Sequence, residues 1–228
     1  MLKLKPRKRI TKQELKEDKF VTYTIKAKDY VENNARTIMW VAIAILALIV
    51  IVSFVSRSKR SANLEASALF TQASLAMSQG NVQQAEIQMQ ELIENYKGVK
   101  AAGQGCFFLA RYYWQQGDFE NARIYFKKYL DDYEDDPLLT SAAYAGYADC
   151  LYNEGNIREA ARNYEKAARS AKDSPSFPNY LYSAARAYME VEEMQKARKL
   201  ADEIIEKTED AEIKTEAEIL LGMIRMKS

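Results

Sequence analysis

The sequence predicts an all-α protein in which a single N-terminal transmembrane helix is followed by an α-solenoid of about four helix pairs and a C-terminal capping helix. Two observations predict this fold. The phrase Gly-Asn/Asp-x-x-x-Ala occurs three times, beginning at Gly80, Gly117 and Gly155. Residues 37–55 form an apolar run broken only by Ser53 after its opening threonine. The predicted domains are a basic tail with a juxtamembrane helix (1–36), a transmembrane helix (37–55), a linker (56–65) and a repeat domain (66–228).

The apolar run is long enough to cross a bilayer, since 19 residues of helix measure about 29 Å. A buried helix of a soluble domain would carry polar positions at a helical period, whereas here the charges lie in the flanks. A cleaved signal peptide would have a shorter apolar core and a small-x-small cleavage site directly after it. We therefore expect the segment to remain as an anchor.

Lysine and arginine are concentrated before this run. Residues 1–36 contain eleven of them, whereas the other flank has only Arg57, Lys59 and Arg60 nearby. The positive-inside rule then predicts a cytoplasmic amino terminus and a repeat domain on the far side. The basic tail could also attract anionic lipids, or its charges could merely set the topology.

A cytoplasmic helix is predicted after the basic residues. Thr11 and Glu14 have the spacing of a capping box, which marks a helix start. The helix should run to a break near Asn33 and Asn34. Its mixed apolar and charged residues would suit either a membrane surface or a membrane partner, and the sequence does not choose between them.

Charge and composition exclude several function classes. Residues 1–60 carry a net charge of +9, whereas residues 61–228 carry nineteen basic against twenty-seven acidic residues, a net charge of −8. An acidic repeat domain argues against nucleic-acid binding. The chain has no histidine, which removes histidine-based catalysis and the common zinc sites. We predict no catalytic residue, no metal site, no cofactor and no small-molecule substrate. The acidic cluster at residues 131–136 indicates a solvated patch, or a weak cation site without EF-hand spacing.

Each repeated glycine falls in a turn between two apolar segments of helical period, the pattern of an antiparallel helix pair. The repeat resembles the tetratricopeptide repeat, which places small and aromatic residues before the turn glycine and again after it. Copy one has Leu69, Ala73, Ala76, Gly80, Ala85 and Met89; copy two has Leu109, Ala110, Tyr113, Gly117, Ala122 and Phe126; copy three has Tyr144, Ala148, Leu151, Gly155, Ala160, Tyr164 and Ala167. A fourth copy has Leu181, Ala185, Tyr188 and Ala197, but Glu192 stands where the turn glycine is expected.

A final helix is predicted at 211–227 as a terminal cap, with five apolar residues at spacings of three and four: Ile213, Ala217, Leu220, Leu221 and Ile224. The only cysteines, Cys106 and Cys150, face inward in the repeat register. We favour two buried thiols, although a disulfide is chemically allowed outside the cytoplasm.

The family resemblance implies a protein-binding groove formed by the first helix of each pair. The predicted groove residues are Phe70, Met77, Phe107, Arg111, Trp114, Asp149, Tyr152, Tyr182, Arg186 and Met189. Aromatic residues, methionines and arginines are the side chains that anchor adaptable protein contacts. Arg111, Asp149 and Arg186 could instead pair with one another between repeats.

The whole architecture resembles the YfgM-type ancillary subunits of the bacterial Sec translocon. That resemblance implies a single-pass inner-membrane protein whose periplasmic repeats bind translocon subunits, periplasmic chaperones or unfolded clients. An envelope scaffold that organises cell-division or cell-wall enzymes is the alternative. A third hypothesis, an enzyme, is disfavoured because the chain lacks the groups that titrate near neutral pH and that catalysis usually needs. A fourth hypothesis, repeats in the cytosol as in mitochondrial import receptors, conflicts with the amino-terminal cations.

Overall fold

The computed structural model describes residues 22–26, 28, 30–134 and 136–227, and every regular element within them is helical. From residue 35 onward the helices are α1 (Ala35–Ser78), α2 (Val82–Asn95), α3 (Lys100–Gln115), α4 (Phe119–Asp132), α5 (Pro137–Asn153), α6 (Ile157–Ser170), α7 (Phe177–Glu190), α8 (Met194–Lys207) and α9 (Ala211–Lys227). The predicted all-α fold class is confirmed. The predicted capping box at Thr11 lies outside the described residues.

The chain divides between Ser58 and Lys59 into two compact units, which are described separately. In the first unit, the apolar part of α1 has a mean hydropathy of 3.1 and no buried residue in its most apolar window. Within the described part of the chain, this is the one helix long and apolar enough to cross a membrane. Its exposed side chains differ from those of a core helix, which would be buried.

At the break predicted before α1, only one residue, Asn34, departs from helical geometry. Asn34 donates its backbone N–H to the Tyr30 carbonyl at 3.0 Å, and its own carbonyl accepts from the Ile38 N–H at 2.9 Å. Helical hydrogen bonds therefore continue across this position. The Asn34 side chain also donates to the Tyr30 carbonyl, which explains the local irregularity.

Residues 56–65, assigned to a linker from the sequence, are helical and lie within α1. No glycine or proline occurs between residue 35 and Gly80, so no residue in this stretch interrupts the helix. The first helix of repeat one is therefore the last part of α1.

The second unit is the predicted solenoid. From α2 to α9, each helix packs against the next one in the chain. The end of α1 contributes Ala66 and Ala73 to the same apolar core as Met89 and Leu92 of α2. The pairs are α1 with α2, α3 with α4, α5 with α6 and α7 with α8. The cap α9 packs on α8 and α7 through the five predicted residues, all of them buried: Ile213, Ala217, Leu220, Leu221 and Ile224.

All four turns within the pairs have the same construction. The turn residues Gly80, Gly117, Gly155 and Glu192 have positive φ angles of 83°, 77°, 83° and 62°. In each turn the next residue donates its N–H to the carbonyl five residues earlier, at 2.8 to 3.0 Å, as in a Schellman motif. The fourth copy is thus a complete helix pair despite its glutamate.

Close helix approach depends on small residues. The alanine that follows each turn, which is Ala85, Ala122, Ala160 or Ala197, has no exposed surface. At Gly146 of α5, an added Cβ atom would lie 2.3 Å from the Phe126 ring of α4. That distance is far below van der Waals contact, so α5 can approach α4 only because residue 146 is glycine.

Cys106 and Cys150 are both fully buried and free. Burial raises the pKa of each thiol to about 12. The buried-thiol interpretation is confirmed, because both side chains fill apolar space within the repeat core.

The left-handed turn residue of repeat four generates a stability prediction. Glu192→Gly should raise the free energy of unfolding by about 1 kcal/mol, because glycine adopts a positive φ without a Cβ clash. Gly155→Ala is the reciprocal control and should lower the free energy of unfolding by a similar amount, because alanine disfavours the positive φ at this turn. An added Cβ atom there would contact no other atom within 4 Å, so backbone strain is the only cost. Chemical denaturation of the full chain in detergent, followed by circular dichroism, measures both. Equal effects of the same sign would contradict this account.

Candidate protein-binding groove

The first helices of repeats one and two enclose an apolar cavity of about 390 Å³. Four predicted groove residues meet there: Phe70 and Met77 from α1, with Phe107 and Arg111 from α3. The complete lining is Phe70, Met77, Gln104, Phe107, Phe108, Arg111, Tyr112, Gln115 and Leu139. The register derived from the repeat therefore places these four side chains around a common space.

Aromatic contacts hold the walls of this cavity. The rings of Phe70 and Phe108 meet edge to face with centroids 6.1 Å apart, which joins repeat one to repeat two. Phe107 lies 5.9 Å from both Phe126 and Tyr129 of α4. Such contacts add to the energy of apolar burial and restrict ring orientation. These contacts therefore restrict the orientations of the rings that line the cavity.

Arg111 supplies a cation at the edge of the cavity. Its side chain is exposed, and no ion pair in the described part of the chain includes it. An arginine can donate two parallel hydrogen bonds to a carboxylate. The arrangement can therefore accept a bulky apolar side chain with an acidic group beside it.

Five cavity residues were not among the predicted groove residues. Gln104 occupies a groove position of the family register, so the register could have identified it. Phe108, Tyr112 and Gln115 each follow a predicted residue by one position, which widens the face of α3 that lines the cavity. Leu139 comes from the first turn of α5, and no sequence pattern indicates its position.

Trp114 does not line the cavity. The residue is 41% exposed, and its side chain forms a hydrogen bond with the Asp149 carboxyl group of the next repeat. The Tyr164 hydroxyl donates to Asp149 Oδ1 at 2.5 Å. Burial raises the pKa of Asp149 above its ordinary value, and the two hydrogen bonds offset part of that rise. Trp114 and Asp149 thus connect repeats two and three.

The remaining predicted residues lie between repeats three and four. The Tyr152 hydroxyl donates to Glu190 Oε2 at 2.6 Å, and this hydrogen bond is the main cause of the raised pKa of Tyr152. The Arg186 guanidinium lies 5.9 Å from the centre of the Tyr182 ring. Met189 is half-buried in α7. These residues form a second, more polar region of the predicted groove.

The alternative in which Arg111, Asp149 and Arg186 pair with one another is wrong. Asp149 accepts hydrogen bonds from Tyr164 and Trp114, and Arg186 lies over an aromatic ring. Across residues 22–26, 28, 30–134 and 136–227, no group of three histidine, cysteine or carboxylate side chains is arranged to hold a metal ion.

Comparison with protein families identifies the fold. Residues 28–173 match the tetratricopeptide repeat-like domain, and residues 141–212 match the tetratricopeptide repeat. The chain belongs to the tetratricopeptide repeat-like family. The first match covers more than half of the chain and includes the apolar segment as well as the first three helix pairs. No curated protein matches the chain in sequence.

Solved structures share the tetratricopeptide fold. A tetratricopeptide repeat protein from Parabacteroides merdae has a TM-score of 0.57 at 15% identity, covering 71% of this chain and 60% of that protein. A putative kinesin light chain from Podosopora anserina with tetratricopeptide-like repeats has a TM-score of 0.50 at 17% identity, covering 72% and 94%. The type III secretion chaperone SycD of Yersinia enterocolitica, bound to a peptide of the translocator YopD, has a TM-score of 0.45 at 22% identity, covering 54% and 92%.

The hydrogen bond between Tyr164 and Asp149 generates a second prediction. Tyr164→Phe should destabilise the repeat domain by about 1.5 to 3 kcal/mol at neutral pH, because a carboxylate removed from water loses a donor. The cost should shrink as pH falls through the raised pKa of Asp149, since the protonated carboxyl group needs that donor less.

Tyr144→Phe is the matched control. The Tyr144 hydroxyl donates to the exposed Glu134 carboxylate, so its removal should lower the free energy of unfolding by about 0.5 kcal/mol or less. Unfolding of both variants across pH 3 to 7 would measure the difference. A cost for Tyr164→Phe that stays constant with pH would contradict the role given to Asp149.

Proposed function

We propose that this chain is a single-pass protein of the bacterial inner membrane whose periplasmic repeat domain binds segments of other proteins. In this proposal it is an ancillary subunit of the Sec translocon, which links the channel to periplasmic chaperones or to emerging clients. The tetratricopeptide fold is a protein-interaction scaffold, so the general class of the function follows from the family.

The family match carries the membrane part of the proposal. It extends over residues 28–173, so the apolar segment and the first three helix pairs belong to a single matched region. The apolar side chains of that segment are exposed, and its hydropathy suits hydrocarbon. Eleven cations before the segment favour a cytoplasmic amino terminus, which would leave the repeats in the periplasm.

The cavity between α1 and α3 supports the choice of ligand. Its volume of about 390 Å³ is in the range that accepts one or two large apolar side chains. Polypeptides that have just crossed a membrane expose such side chains before they fold. The partner segment is therefore expected to place an aromatic or large aliphatic residue in the cavity and an acidic residue near Arg111.

The experiment is site-specific photo-cross-linking in living cells with the full chain. A benzophenone side chain at Gln115, which lines the cavity, should form adducts with translocon subunits, periplasmic chaperones or translocating clients. The same probe at Ile124, another exposed position, on α4 and outside the cavity, should not. Adducts with cell-division or cell-wall enzymes alone would favour the scaffold alternative. Equal labelling from both positions would contradict binding in the cavity.

A substitution in the cavity tests the same contact. Phe70→Ala should reduce the adducts from Gln115 about tenfold, because truncating an aromatic side chain that contacts the partner costs about 1.4 kcal/mol of binding free energy. Ile124→Ala should leave them unchanged. Thermal unfolding of both variants separates lost binding from lost folding, and unchanged adducts in a folded Phe70→Ala protein would contradict the proposal.

A further inference from the structure

The outer face of the last helix is unusually apolar. Helix α9 buries one side against α8 and α7, yet Ile219, Met223 and Met226 on another side are 54%, 43% and 82% exposed. Exposed apolar surface rimmed by polar residues marks protein-interaction sites. This face of α9 is therefore suited to contact with another protein surface.

The spacing of this face fits another helix. Glu212, Glu216, Ile219, Met223 and Met226 follow one another at intervals of four, three, four and three residues. That alternation is the period at which two helices pack along a continuous seam. The outer stripe of α9, defined by these five residues, thus has the periodicity of a helix-on-helix contact and becomes acidic towards its amino-terminal end.

Charge is distributed unevenly along the helix. Residues 209–218 contain five acidic residues and one lysine, whereas residues 219–227 contain Arg225 and Lys227 and no acidic residue. Elsewhere in the solenoid, charges pair across repeats, as Arg123 does with Glu154 and Arg169 with Glu203. In the described part of the chain, no ion pair includes a charged side chain of α9. These charges remain available to a partner.

A depression lies beside the basic end of the helix. It has a volume of about 500 Å³ and separates the start of α8 from the end of α9. Its lining is Met194, Gln195, Arg198, Ile224 and Arg225. Two arginines with two apolar side chains suit a segment that is both acidic and apolar. The chain around the start of α9 has that acidic character, with Glu209 and Asp210 just before the helix and Glu212 in its first turn.

We propose that a second copy of this chain docks on the outer stripe, with the two α9 helices antiparallel. This arrangement sets the acidic half of each helix against the basic half of the other, with Ile219 against Ile219 at the axis and Glu212 beside Met226 and Lys227. A parallel arrangement would place Glu212 against Glu212 and Arg225 against Arg225. A two-fold axis near Ile219 relates the copies, so the surface is complementary to itself. The contact is separate from the groove, and either could fail without the other.

Disulfide cross-linking of the full chain in membranes tests the arrangement. Ile219→Cys should cross-link to the same residue of a second copy far more than Ile124→Cys does, because residue 219 lies at the proposed two-fold axis. Ile124 is the matched control, since the two isoleucines are 54% and 50% exposed. The native thiols are buried, and the chain without an added cysteine gives the background. An Ile219→Cys signal no stronger than that of Ile124→Cys, or adducts only with a different protein, would overturn the proposal.

Direction is tested with two tagged versions in one membrane. Glu212→Cys and Met226→Cys should cross-link to each other more than either cross-links to itself. Cross-links of Glu212→Cys to itself and of Met226→Cys to itself that exceed the mixed cross-link would overturn the antiparallel arrangement.

Charge exchange provides an independent measurement. In the Ile219→Cys chain, Glu212→Lys with Glu216→Lys should lower cross-linking several-fold, because both ends of the contact would then be basic. Adding Arg225→Glu and Lys227→Glu should restore it. A compensated chain that is folded by circular dichroism but does not recover would overturn the role given to charge complementarity.

Discussion

The close approach of paired helices is the constraint on which the rest of the structure depends. A single pair cannot bury its apolar face alone, so each pair must lie within contact distance of the next. Alanine after each turn and glycine at position 146 leave room for that approach, while the aromatic rings of α3 and α4 fill the space that remains. The left-handed residue in each turn reverses the chain within a few residues, which keeps the two helices of a pair together.

This constraint also produces the candidate site. Small side chains face the partner helix, so the larger side chains of α1 and α3 are directed to the open side, where they enclose the cavity. Phe107 serves both functions, since its ring contacts Phe126 and also lines the cavity. Tyrosine hydroxyls also donate to carboxylates between repeats, as Tyr152 of repeat three does to Glu190 of repeat four, which links the two repeats without adding apolar surface. An interaction surface thus follows from the way in which the stack is packed.

Much of the fold could be predicted because a repeated pattern reports the same geometry several times. The turn glycines, the alanines and the five buried residues of α9 all occupy their predicted places. The glycine pattern does not predict the fourth turn, because Glu192 stands there. The neighbouring helices impose on it a positive φ that glutamate does not favour. The groove was predicted less completely. Trp114 turns towards Asp149, and Leu139 enters the cavity from another repeat, because both depend on the stacking of repeats.

The location of the repeat domain relative to the membrane is the central claim, and cysteine accessibility tests it most directly. In a chain with Cys106 and Cys150 replaced by alanine, single cysteines at Lys12 and at the exposed Lys199 would be treated with a membrane-impermeant thiol reagent on intact spheroplasts. We predict labelling at residue 199 alone, which requires the repeats to lie outside the cytoplasm. Labelling at residue 12 alone would contradict the account and place the repeats in the cytosol.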